Sequence, residues 1–140
     1  MESTWFVVAD RSQAQLYEVV GPKLKPELRE LETMTHPEVR LSGEPSASSS
    51  QHQMLGDHSG ADAEEDRRFV RRVVERLLQA QHQREFDKLV IAAPADFVGR
   101  IRELASRRLS KSVHREIIAD YTHDNRRSLQ DRMRRKAWLT

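Results

Sequence analysis

The segment Thr4-Trp5-Phe6-Val7-Val8-Ala9 is an almost unbroken apolar run that stops at Asp10-Arg11-Ser12. That is the pattern of a strand buried on both faces and closed by a polar turn. From Gln13 to Val20 the chain alternates, with Ala14 and Leu16 on one side, until Gly21-Pro22 interrupts it, so the first two strands form a hairpin. Residues 28–34 fit a strand or a helix by period alone; their short length and the preceding Pro26 favour a third meander strand, ended by His36-Pro37. Between 42 and 61 serine, glycine and proline dominate and no apolar period survives. A structureless stretch beyond about 12–15 residues inside one domain is either functional or disordered, which makes this loop a first place to look for activity.

Downstream the period changes. Asp62 as N-cap with Glu65 three residues on forms a capping box, and the acids Glu64, Glu65 and Asp66 suit the positive end of a helix. Phe69, Val70, Val73, Val74, Leu77 and Leu78 then give one apolar stripe that continues to about Gln83. Lys88 to Ala93 reads as a second fully buried strand. Pro94 opens a helix with Phe97, Ile101, Leu104 and Ala105 on its inner face. Residues 113–119 read as a less buried strand near a sheet edge, and 124–139 as a helix docked through Leu129, Met133 and Ala137 with Trp138 beside them. The order β-β-β, long loop, α-β-α-β-α specifies one α/β domain over residues 1–140. Its single mixed sheet joins an antiparallel meander to parallel strands through right-handed crossovers.

Composition narrows the chemistry. The 140 residues contain no cysteine, which excludes disulfide scaffolds, thiolate metal sites and cysteine nucleophiles. No stretch approaches the roughly 18 apolar residues of a membrane span, and the opening MESTWFVVAD turns acidic before a signal-peptide core forms. The expectation is a cytoplasmic protein with no membrane partner. The net charge of +2 conceals a gradient: residues 1–66 carry 5 basic and 13 acidic side chains, 67–99 carry 7 and 4, and 100–140 carry 12 and 5. Nineteen of the 24 cations are arginine, the side chain that grips phosphate in a fork and stacks on bases, so an anionic polymer is a reasonable partner for the basic half.

Four groups of residues together resemble a known family. They are Val7-Val8-Ala9-Asp10-Arg11 with Ala14 and Leu16; His36-Pro37-Glu38; Phe86 to Pro94 followed by Phe97, Gly99 and Arg102; and Asp120-Tyr121-Thr122-His123. The chain resembles, over nearly its whole length, the bacterial host-attachment proteins, small proteins described as required for attachment to host cells. The resemblance implies a fold related to the middle domain of archaeal and eukaryotic class-1 release factors, a ribonuclease-H-like or ribosomal-protein-L18-like layered sheet. It also marks departures. Family members carry Asp-Arg-Pro-Gly-Arg and Gly-Arg-His-Ala elements in the long loop, whereas here a serine-rich stretch ends in Gly56-Asp57-His58-Ser59-Gly60. Gln51 and Gln53 lie near Gly56, but the Gly-Gly-Gln of release factors is absent, so its residues do not support peptidyl-tRNA hydrolysis.

Three functional readings compete. In the first, a non-enzymatic protein binds RNA or the ribosome through Arg11, the helical face Arg68, Arg71, Arg72 and Arg76, the loop residues Gln53, Gly56 and His58, and Arg126 and Arg127. Such binding is steeply salt-dependent and shows no DNA specificity, and most aromatics fall on core positions, so no stacking platform is evident. In the second, Asp10, Asp96 and Asp120, each at or just past the end of an expected strand, converge on Mg²⁺ for nuclease or phosphotransfer chemistry. Structural roles explain them more simply: Asp10 caps a hairpin turn, Asp96 sits in a first helical turn and Asp120 closes a strand. In the third, His52, Asp57, His58 and Asp62 bind a metal, but their spacing matches no tight motif, and neither metal nor cofactor is expected. His36 and His123 are expected at turns or caps and His114 on the exposed face of the last strand. No Ser-His-acid triad or phosphate-binding glycine loop is present.

Overall fold

The apolar runs come together as the centre of one sheet. The computed structural model describes residues 3–36 and 60–140. Its strands are β1 (Thr4–Ala9), β2 (Gln13–Val20), β3 (Glu27–Thr35), β4 (Lys88–Ala93) and β5 (Val113–Ile118), in the spatial order β3-β2-β1-β4-β5. β1–β2 and β2–β3 pair antiparallel; β1–β4 and β4–β5 pair parallel. β1 and β4, the two strands without polar alternation, lie side by side, with Val7 opposite Ile91. The helices are α1 (Gly60–His82), α2 (Ala95–Leu104), α3 (Arg107–Ser112) and α4 (Arg126–Arg135).

Strand parity assigns the two faces. Trp5, Val7, Ala9, Leu16, Leu89 and Ile91 point to the face covered by α1, α2 and α3, where they pack on Phe69, Val73, Leu77, Phe97, Ile101 and Leu109. Phe6, Val8, Tyr17, Val90 and Ala92 point the other way, onto Leu129, Met133 and Trp138 of α4 and the segment after it. β3 and β5 form the edges, and both are markedly less buried than the central strands. α4 also closes part of the β3 edge: Leu28 N donates to Gln130 Oε1 at 2.8 Å, and Arg134 Nε donates to Pro26 O at 2.8 Å. Satisfying edge groups with helix side chains removes them as a template for a foreign strand.

Several boundaries differ from the sequence expectation. α1 begins at Gly60, so Asp62 lies inside the helix instead of capping it. The expected second helix is two: α2 ends at Leu104, and Ser106, whose Oγ accepts from Leu109 N at 3.1 Å, caps the separate α3. The last helix starts after Asn125, whose side chain caps Ser128 N, and ends at Arg135. His36 is a core residue, 2% exposed, its ring 5.3 Å from that of Phe69. The loop readings at Gln51, His52, Gln53, Gly56, Asp57 and His58 fall outside the described residues, and among those described no helix is long and apolar enough to cross a membrane.

Candidate functional site

Three parallel strands send their carboxyl ends to the same edge of the sheet, and the turns that leave them carry the polar chemistry. Asp10 follows β1. Its Oδ1 accepts from Ser12 N at 2.7 Å, Ser12 Oγ at 2.8 Å and Gln13 N at 3.0 Å, the turn-capping role expected of it. Its Oδ2 faces away from that turn and accepts from Thr122 Oγ1 at 2.7 Å, across 112 residues of sequence. Partial burial pushes the Asp10 carboxyl up, but the hydrogen bonds from Thr122, Ser12 and Gln13 outweigh it, and the group titrates below the ordinary aspartate range.

Asp120 leaves β5 in the same direction. Its Oδ1 accepts from Thr122 N at 3.1 Å and lies 2.7 Å from Thr122 Oγ1, which is therefore held between two carboxylates. Thr122 is 4% exposed, whereas Asp120 and His123 are open to solvent. One potential ligand atom from each of Asp10, Asp120 and His123 lies within 4.8 Å of the others. Of the three carboxylates that the alternative Mg²⁺ reading would bring together, Asp10 and Asp120 lie near one another. Asp96 does not join them: it sits exposed in the first turn of α2, beside Arg11, Asp66 and Arg100.

Asp66 is the hub of that neighbouring cluster. It meets Arg11 at 2.9 Å, His36 Nε2 at 3.2 Å and Arg100 at 3.6 Å, and its side chain is 13% exposed. These contacts tie the β1–β2 turn, the end of β3, α1 and α2 together, and so fix the backbone from which Asp10 projects. A separate hollow of about 110 Å³ at the β2–β3 bulge, between Gln15, Tyr17, Glu30 and Glu32, is well below the roughly 300 Å³ at which small-molecule sites begin.

The candidate arginines divide by what neutralises them. Arg68 pairs with Glu65 at 3.0 Å, Arg76 with Glu32 at 3.0 Å and Glu85 at 3.9 Å, and Arg11 with Asp66. Arg72 lies over the Phe69 ring and donates to Thr35 O. Arg71 has no acidic partner among the described residues. Around α4 the balance is different. Residues 126–136 hold six cations and the single acid Asp131. Only Arg132 is matched there by a carboxylate, Asp124 at 2.9 Å, among the described residues. Arg126 and Arg134 reach carbonyl oxygens of residues 28 and 26, which orient the guanidinium groups without cancelling their charge. Arg127 is exposed.

Sequence reasoning found Asp10 and Asp120 but missed Thr122 and gave His123 only a turn role. The available signal was Asp120-x-Thr122, an Asx-type turn that folds the hydroxyl back onto its own carboxylate.

A family model described as "Protein required for attachment to host cells" matches residues 5–133. Among solved structures, the chain is similar to an archaeal translation termination factor, aRF1, with a TM-score of 0.45 at 11% identity. It is also similar to a chain titled only as an archaeal protein, with a TM-score of 0.47 at 12% identity. Each match covers 96% of this chain and 37% of the other, so the chain spans little more than a third of those proteins. No curated protein matches the sequence.

Proposed function

The chain belongs to the family of proteins required for attachment to host cells, and from that premise we propose that it acts in the cytoplasm as an RNA- or ribosome-binding protein, reaching attachment indirectly. The observation that carries this reading is the uncompensated charge of α4: six cations against one acid over residues 126–136, with a carboxylate partner for Arg132 alone among the described residues. Arginines held open in this way suit phosphate oxygens, since each can offer a planar pair of donors. The face of α1 that carries Arg68 and Arg76 contributes less, because those two are already paired. Binding of this kind is dominated by counterion release and discriminates little between sequences.

The test is sedimentation of the native protein through sucrose gradients at low and high salt, with and without ribonuclease, beside gel-shift titration with RNA and with duplex DNA. The expected result is co-migration with ribosomal particles or RNA that is lost at high salt. In the double variant Arg127→Glu, Arg135→Glu it weakens, and the slope of log affinity on log salt becomes shallower by about one for each phosphate contact removed. Protein that stays at the top of the gradient under every condition, or a double variant that binds RNA as well as the parent, overturns the reading.

A further inference from the structure

The outer surface of α4 carries a pattern finer than its total charge. Three of its arginines are tied down: Arg126 reaches Leu28 O and Gln130 Oε1, Arg132 reaches Asp124, and Arg134 reaches Pro26 O. Arg127, Asp131 and Arg135 are all exposed, and no side-chain hydrogen bond or ion pair among the described residues occupies them. Set four residues apart, these three stand as one ridge along the helix. At a rise of roughly 1.5 Å per residue the two arginine positions lie about 12 Å apart, with a carboxylate midway. Neighbouring phosphates of a single strand laid along the ridge would press negative charge against that carboxylate, whereas two phosphate rows separated by a groove would straddle it. A second observation concerns the rings. Seven of the eight Phe, Tyr and Trp side chains are buried, and the eighth, Tyr121, is half-buried, with the Arg132 guanidinium 4.3 Å from its ring centre and Trp138 packed against it at 5.6 Å. All eight lie among the described residues, so the chain has no exposed ring of these types on which unpaired bases could stack.

We propose, resting on the RNA reading above, that the ligand of this ridge is double-helical RNA: Arg127 and Arg135 grip phosphates on the two sides of the minor groove, and Asp131 faces the groove between them. The major groove of an A-form helix is too deep and narrow for side chains, but its minor groove is wide and shallow and displays 2′-hydroxyls. An ionised carboxylate only accepts hydrogen bonds, and the 2′-hydroxyl is a donor it can use. Duplex DNA lacks that hydroxyl, so against DNA the acid only repels. Asp131 thus turns a surface that would attract any polyanion into one that distinguishes RNA from DNA. The tethered arginines Arg126 and Arg134 meanwhile fix the orientation of the ridge by bonding to the carbonyls of Leu28 and Pro26.

Fluorescence anisotropy with the full-length protein tests it, using three labelled probes with equal numbers of phosphates: an RNA duplex, a DNA duplex of the same sequence and a single-stranded oligouridine. The parent is expected to bind duplex RNA about tenfold more tightly than duplex DNA, the worth of one hydrogen bond to a charged acceptor. Oligouridine is expected to bind more weakly than either duplex. Counterion release alone cannot produce the first preference, because the two duplexes carry the same number of charges. Asp131→Ala, an exposed position whose fold circular dichroism verifies, is expected to tighten binding to duplex DNA and to bring the ratio of RNA to DNA affinity close to parity. An unchanged ratio in this variant would mark Asp131 as a mere repulsive charge and overturn the proposal. Equal binding of the two duplexes by the parent, or oligouridine bound as tightly as duplex RNA, overturns it too while leaving the RNA reading in place. Failure to bind either RNA probe at low salt removes both.

Discussion

Asp10 is where a single residue joins the greatest number of separate requirements. One oxygen closes the β1–β2 turn and the other holds the segment after β5, so the side chain links the antiparallel and parallel halves of the sheet. Asp10→Asn keeps an oxygen for the turn and points its amide NH₂ at the Thr122 hydroxyl, which can accept it while donating to Asp120, so what is lost is the charge of the acceptor. The expected cost is about 1 kcal/mol, the difference between hydrogen bonds to a charged and to a neutral group. The dependence on pH has a definite sign. Hydrogen bonds hold the folded carboxyl below its ordinary value of 3.8, so the unfolded chain binds the proton more readily. The stabilisation is therefore fully present above that ordinary value and is lost as pH falls through the lower folded value. Urea midpoints of parent and variant measured from pH 7 into the acid range should converge at the acid end; a constant gap would show that the charge of Asp10 contributes nothing.

At the scale of elements, helix ends hold much of what the sequence concealed. α1 and α4 both finish on non-glycine residues with positive φ, Arg84 at 60° and Ala137 at 52°. In each case the next amide reaches back five residues, Glu85 N to Ala80 O at 2.8 Å and Trp138 N to Met133 O at 3.3 Å, the signature of a Schellman ending. An L-residue in that conformation costs about 1–2 kcal/mol, of which the greater freedom of glycine in the unfolded chain returns roughly 0.5–1. Ala137→Gly and Arg84→Gly are thus expected to stabilise the protein by about 0.5–1 kcal/mol each, read as a raised midpoint in thermal or urea unfolding; destabilisation would show that neither ending is strained.

The same endings explain which elements were legible. β1 and β4 were plain because central strands buried on both faces leave continuous apolar runs, and α1 because its stripe, from Phe69 to Ala80, repeats over about three turns. The end of α4 was overrun because Ala137 is a strong helix former that here reverses the chain, and the α2–α3 break was missed because Ala105-Ser106 contains neither glycine nor proline. The candidate site was half legible for a related reason. Carboxylates at strand ends can be placed from sequence, but Thr122 acts only through the parallel pairing that sets β5 two strands from β1.

Across the whole molecule the two faces of the sheet are unequally covered. On one side α1 alone contributes Phe69, Val70, Val73, Val74, Leu77 and Ala80 to the core, supplemented by α2 and α3. The opposite face is covered chiefly by Leu129, Met133 and Trp138. Each lost apolar contact therefore matters more on the α4 side, and the cationic surface proposed to meet RNA rides on the thinner layer. Local opening follows the number of buried apolar contacts, so α4 should detach at lower denaturant than the remainder unfolds. The two tryptophans make this measurable, because Trp5 packs on the α1 side at 5.2 Å from Phe86 and Trp138 on the α4 side at 5.5 Å from Phe6. With Trp5→Phe the fluorescence reports α4, and with Trp138→Phe it reports the main core. Normalised to the far-ultraviolet circular dichroism of the same variant, the Trp138 signal is expected to change ahead of the secondary structure and the Trp5 signal to change with it. Coincident transitions in both variants would mean that the hydrogen bonds linking Gln130, Arg126 and Arg134 to Leu28 and Pro26 couple α4 to the sheet strongly enough for the molecule to unfold as one unit.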